Sequence, residues 1–309
     1  MLFRSRYVSK KGSSEAPYTS WETACDSLQK CFDYCNNGDS VYVDRGIYRE
    51  TIFLDNRVLT IIGIDSDECI IDASGIFGDP YIRFLFSQTG GEIKLKNITM
   101  KRKMGYLDPP HILYDNLDGI LEIQNCMFDS AGTGLLLRGD SKVDKCIFRN
   151  LSGAVSTSNN RIFSITNSLI SIKKWEYVFP AIINSDITGS FLINNNIVWE
   201  NGSDGYYGIK LNTSEGISIK NNLIYRFKTG ILANAVGDFP SPIEIVNNSI
   251  IYFNNTASTG ILTGDITGPI VIKNNIIKGF TTGVEFQHLR TYADYNLFND
   301  VTRVTNMPP

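Results

Sequence analysis

The sequence predicts an all-β solenoid: coils of three short strands stacked on one another, with an amphipathic helix at the N-terminal end. Three observations carry this reading. The first is a repeat: Gly216–Tyr225 (GISIKNNLIY) returns as Ile243–Ile250 (IEIVNNSI) and Ile270–Ile277 (IVIKNNII), with looser copies at 93–100, 121–128, 143–148, 163–170, 191–198 and 292–298. The second residue of the Asn pair, or its equivalent, falls at 98, 126, 146, 168, 196, 222, 248, 275 and 296, with spacings of 28, 20, 22, 28, 26, 26, 27 and 21. A period that gains and loses residues in this way marks a solenoid, whose coils bury their apolar faces only by stacking. Leucine-rich repeats share the period but need a Leu lattice that this chain lacks.

The second observation is alternation. Ile217 and Ile219, Ile243 and Ile245, and Ile270 and Ile272 are separated by polar or outward residues, the period of a strand with one face inward. Asn then ends the strand, because it tolerates left-handed backbone and suits a sharp bend. Asn residues stacked at one corner can also hydrogen-bond to each other as a ladder. The third observation is a Gly motif some 7 to 12 residues after most Asn pairs: Gly134-Leu135, Gly153-Ala154, Gly208-Ile209, Gly230-Ile231, Gly260-Ile261 and Gly283-Val284. It opens another strand, so each coil has a Gly-Ile strand, an Ile-x-Ile strand and, past the Asn corner, a Leu-Ile strand.

With these motifs the sequence resembles the pectin-lyase-like superfamily over about residues 40 to 300. The resemblance implies a single-stranded right-handed parallel β-helix of about ten coils, and the handedness agrees with the bias of parallel crossovers. Its members include lyases, hydrolases, esterases, phage tailspikes and surface adhesins, so it speaks for fold and little for activity. The expected organisation is an N-terminal segment and capping helix over 1–38, the parallel β-helix over 39–300 and a C-terminal tail over 301–309.

Within 1–38, Thr19-x-x-Glu22 reads as a capping box, followed by one apolar face of Trp21, Ala24, Cys25, Leu28, Cys31, Phe32 and Cys35. This predicts a helix near residues 19 to 36, stopped by Asn37-Gly38 and lying as a lid over the first coil. Residues 38–50 (GDSVYVDRGIYRE) resemble the first-coil signature of pectinesterases and many β-helix surface proteins. The catalytic strands of a pectinesterase are not recognisable downstream; Phe128-Asp129 is the nearest echo. That activity is disfavoured. Residues 101–119, with Pro109-Pro110, form the longest irregular excursion, and His111 within it reads as a loop residue rather than a catalyst.

The chain has 309 residues, is 42% hydrophobic and carries a formal charge of -3, enough apolar material for one large core and no basic stripe for nucleic acid. No run approaches a membrane span, and no signal peptide is visible at the N-terminus. Six Cys lack a paired spacing. Cys126 and Cys146 fall at the ladder position of consecutive coils and read as stacked reduced thiols. Cys25, Cys31 and Cys35 read as lid contacts rather than metal ligands, since His is scarce.

For chemistry, the second residue after each Gly is expected to face solvent, giving Leu136, Lys210, Leu232, Leu262 and Glu285. No convergent oxygens for Ca²⁺ can be assembled there, so no cofactor is expected. The exposed Leu column instead suggests a face covered by loops or by another subunit, as in a homotrimer formed through the Gly-Ile strands. The expected ligand site lies on the long aromatic loops. Trp175, Tyr177, Trp199, Tyr206, Tyr207, Arg226 and Lys210 would bind substrate, since aromatic rings suit the faces of sugars. Glu176, Glu200 and Asp204 would be the catalytic carboxyls, at spacings that bracket those of glycosidases. The competing explanation is that these aromatics pack on each other to hold the loops down. The functional expectation is a β-helix that binds extracellular or cell-surface polysaccharide and, if these carboxyls act on it, cleaves it as a lyase or glycoside hydrolase. The alternative is a non-catalytic shaft or adhesin on a phage virion or bacterial surface.

Overall fold

The computed structural model describes residues 4–55, 57–74, 82–85, 91–102, 110–158, 161–173, 180–187, 189–202, 205–213, 216–235, 241–253, 257–266, 268–286 and 291–306. The chain divides into two compact units, Met1–Arg149 and Asn150–Pro309. Both are built from parallel strands that pair with the next coil; most are short, but in the first unit Ile112–Gln124 and Met127–Asp144 run on through a coil corner and pair with each other.

The second unit shows the repeat most plainly. Ile217–Lys220, Leu223–Tyr225 and Phe227–Ala235 form one coil. They pair in parallel with Ile243–Val246, Ser249–Ile251 and Thr259–Ile266. The register holds for another coil, so Ile219, Ile245 and Ile272 form one column and Ile224, Ile250 and Ile277 another. All six are buried, and burying each such side chain stabilises the fold by about 1.5–3 kcal/mol. The third strand carries its glycine for a steric reason, and inside the strand rather than at its start. A Cβ on Gly230 would lie 2.7 Å from the Gly260 carbonyl oxygen and 2.3 Å from Ile250 Cγ2, and Gly260 meets Gly283 and Ile277 in the same way.

The Asn corner divides its work between the two residues. The first takes left-handed backbone, as at Asn195, Asn221, Asn247 and Asn274 (φ between 54° and 58°), a conformation Asn adopts at low cost. The second turns inward. Asn196, Asn222, Asn248 and Asn275 are buried, and each Nδ2 donates to the next Oδ1 at 2.9–3.1 Å, ending at Asn296. Each also donates to a carbonyl one coil back: Ile165, Ile193, Ile219 and Ile245. Each Oδ1 from Asn222 to Asn296 takes in addition the backbone N–H of the preceding ladder residue. Both donors and the acceptor of every amide are thus used, which is what a buried amide requires.

In the first unit the inward position is Cys126 and then Cys146, after left-handed Asn125 and Lys145. Their thiols donate to Leu95 O and Ile123 O, one coil back, the carbonyl position that an Asn amide serves in the second unit. Both are buried, reduced thiols. Outside them, Asn125 Nδ2 donates to Asn97 Oδ1 at 2.8 Å.

The capping helix is shorter than the sequence predicts and starts later. Helix α1 spans Leu28–Tyr34 with Ser27 as its N-cap. Thr19-x-x-Glu22 does not open it, because the backbone around it is committed elsewhere. Cys25 N–H donates to Tyr7 O and Ser9 N–H to Cys25 O, so this stretch edges the first strand, Ser5–Val8. The helix N-terminus is satisfied from a distance: Glu50 accepts from Leu28 N, Gln29 N and Ser27 Oγ at 2.8–3.0 Å. The Glu of the first-coil signature is therefore a helix cap, and its Tyr48 hydroxyl donates to Asp44 O at 2.9 Å. Beyond residue 300, Arg303–Asn306 still pairs in parallel with the strand Thr282–Phe286.

Candidate functional site

The aromatic face of the second unit is built by two strands of one coil and their neighbours. In Ile197–Glu200, alternation turns Val198 and Glu200 inward and leaves Trp199 half-buried. Trp199 stands in register between Ser171 and Tyr225, and the Tyr225 ring meets Phe253 edge-on at 6.4 Å. Phe253 is 69% exposed, too much for a ring recruited only to a core.

Around the corner, the strand Gly205–Thr213 begins with two tyrosines whose ring centroids lie 6.4 Å apart. Parallel pairing with Phe227–Ala235 sets Gly205 beside Phe227 and Tyr207 beside Thr229. Lys228 consequently stands over Tyr206, its Nζ 5.2 Å from the ring centroid, and Lys210 stands over Tyr207 at 5.4 Å. Both are within the range of a cation–π contact. Arg226, in left-handed backbone, donates from Nη2 to Gly202 O at 2.6 Å. This ties the turn after Glu200 to the next coil.

Of the expected site residues, Trp199, Tyr206, Tyr207, Lys210 and Arg226 therefore gather on this unit. Trp175, Glu176, Tyr177 and Asp204 lie outside the described residues. Glu200 is a correction. It belongs to a strand, not a loop, and its inward phase leaves it 1% exposed, so it does not face a bound sugar. Lys228 and Phe253 were missed. The signal for Lys228 was its register opposite Tyr206; Phe253 had none.

On the Gly-Ile face, Lys210, Leu232, Leu262 and Glu285 form a register column, in which Leu232 is 7% exposed and Leu262 half-buried. Two residues on, Asn234 Nδ2 donates to Asn212 Oδ1 at 2.8 Å. Among the described residues, no group of three or more His, Cys, Asp or Glu could hold a metal ion. None of their helices is long and apolar enough to cross a membrane.

These units define a right-handed parallel β-helix protein. Residues 111–252 match the family model "Right handed beta helix region". Among solved structures, the chain is similar to the catalytic domain of a GH87 alpha-1,3-glucanase in complex with nigerose, at 10% identity and a TM-score of 0.54. The match covers 90% of this chain and 64% of the glucanase chain, so this chain spans less than two thirds of that domain. It is also similar to pectate lyase Pel9A, at 14% identity and a TM-score of 0.52, covering 99% of this chain and 78% of the lyase. At such identities the likeness is one of fold. No curated protein matches the sequence.

Proposed function

We propose that the protein binds polysaccharide outside or on the surface of the cell, across the aromatic face of its second unit. The observation that carries this is the side-by-side pair Tyr206 and Tyr207, each with a lysine ammonium over its ring. Rings held in this way offer apolar faces for sugar C–H groups and cations for ring substituents. Trp199, Tyr225 and Arg226 extend the platform, and Trp175 and Tyr177 belong to it by sequence. The fold neighbours named as a glucanase and a pectate lyase support a glycan as the ligand. With Glu200 buried, Glu176 and Asp204 are the carboxyls of the sequence-derived trio left to act on a bound chain. The test is binding and turnover on a glycan panel for the parent and for Trp199→Ala, Tyr206→Ala and Lys228→Ala. Binding lost in all three with the fold intact supports the reading. Full retention in all three sinks it. Reducing-end or unsaturated products that vanish in Glu176→Gln or Asp204→Asn would assign cleavage.

A further inference from the structure

The chain holds two Asn-Gly pairs, Asn37-Gly38 and Asn201-Gly202, and the fold treats them differently. Glycine has no Cβ to shield its backbone nitrogen, so that nitrogen can close on the side-chain carbonyl of the asparagine before it. At Asn37 the fold blocks this closure. Gly38 N–H donates to Val58 O at 2.7 Å, and Asn37 Oδ1 accepts from Val58 N at 3.0 Å, so both reacting groups are held. At Asn201 they are not. Asn201 and Gly202 are exposed, and Asn201 is anchored on its N-terminal side, where its N–H donates to Ile172 O at 2.8 Å. Beyond that bond, neither the Gly202 nitrogen nor the Asn201 side-chain amide has a partner among the described residues.

The asparagines of the corner ladder are protected twice. Their amides bond to each other, and the backbone nitrogens that follow them, at Ile197, Leu223, Ser249 and Ile276, donate to carbonyls of the preceding coil. Asn201 follows the last residue of the strand Ile197–Glu200 and has neither safeguard. Its surroundings also favour reaction. The Arg226 guanidinium, bonded to Gly202 O at 2.6 Å, brings a positive charge close to the nitrogen that must ionise, and a nearby cation favours the ionised form of such a group.

We infer that Asn201 is a site of spontaneous deamidation and isomerisation. The Gly202 nitrogen gives its proton to solvent base and bonds to Asn201 Cγ; the Cγ–Nδ2 bond breaks and ammonia leaves, closing a succinimide. Water then opens the ring. Opening at Cγ leaves aspartate at position 201, and opening at the backbone carbonyl carbon leaves isoaspartate, whose main chain runs on through Cβ and Cγ. Either product sets a carboxylate in the turn that Arg226 ties to the next coil, and isoaspartate also lengthens that turn by one carbon. The reaction consumes only water and does not depend on the polysaccharide reading.

The test incubates the full chain in mildly acidic and mildly alkaline H₂¹⁸O, natively and in urea, and follows both Asn-Gly pairs by peptide mass spectrometry with electron-transfer fragmentation, which separates isoaspartate from aspartate. In the native protein, position 201 should take up ¹⁸O at least about tenfold faster than position 37, equivalent to about 1.4 kcal/mol of barrier, and faster in alkali than in acid. In urea the two rates should converge, because the pairs share their local chemistry and only the fold distinguishes them. A Cβ at Gly202 would meet only Glu200 Oε1, at 3.4 Å, so Gly202→Ala keeps the fold while shielding the nitrogen, and modification at 201 should slow about tenfold or more. Native modification at 201 no faster than at 37, rates in urea as far apart as in the native protein, or an unchanged rate in Gly202→Ala with native circular dichroism would each overturn the assignment.

Discussion

The side-chain amide of Asn222 donates to Asn248 Oδ1 at 3.0 Å, and the same oxygen accepts the Asn222 backbone N–H at 3.0 Å. One oxygen thus satisfies two buried donors of the neighbouring coil. Replacing Asn248 by Leu leaves both without an acceptor and strips Ile219 O of its donor. The expected cost is on the order of 1–3 kcal/mol, read as a lower urea midpoint at unchanged slope. An unmoved midpoint would show that the ladder contributes nothing net.

Glu50 and α1 form a second long-range bond set. Glu50→Ala removes the acceptor of Leu28 N, Gln29 N and Ser27 Oγ, and a lost cap costs about 1–2 kcal/mol. Hydrogen exchange at Leu28 and Gln29 should accelerate well before the global midpoint shifts. Protection equal to the parent's would mean that the helix is held by packing alone.

His111 makes the first unit sensitive to acid. Its folded pKa is depressed from 6.5 to about 4, so below about pH 6.5 the unfolded chain takes up a proton that the native state refuses. Stability therefore falls as pH drops from 6.5 towards 4, by at most roughly 3 kcal/mol at about 1.4 kcal/mol per unit. His111→Gln should flatten that part of the curve. A parent and variant with parallel pH profiles would remove His111 as the cause.

The stacked thiols should be inert. Burial raises Cys126 to about 12 and holds Cys146 well above its ordinary value, so little nucleophilic thiolate exists at pH 8. A thiol reagent should find both unreactive in the native protein and count six thiols after denaturation without reductant. Five or fewer would reveal a disulfide.

How much of this was legible depended on whether the information was periodic. The coil, its three strands, the corner and the inward Asn column follow from alternation and from a recurring Asn pair, because each position repeats the same steric demand. The start of α1 did not follow: Thr19-x-x-Glu22 has the local form of a cap, yet Tyr18 and Cys25 on either side of it bond to the Tyr7 backbone while Glu50, 22 residues beyond Leu28, supplies the acceptor. The candidate site divides in the same way. Aromatic residues in the loops could be seen in the chain, but Glu200 looked like a surface carboxylate until strand phase turned it inward. Lys228 acquired meaning only when register set it over Tyr206. His111 looked like a loop residue of no account. Its burial is a product of tertiary packing. The sequence by itself determined which residues repeat and therefore which face inward; the tertiary structure decided which distant groups meet, because coil-to-coil register and long-range hydrogen bonds leave no periodic trace in the chain.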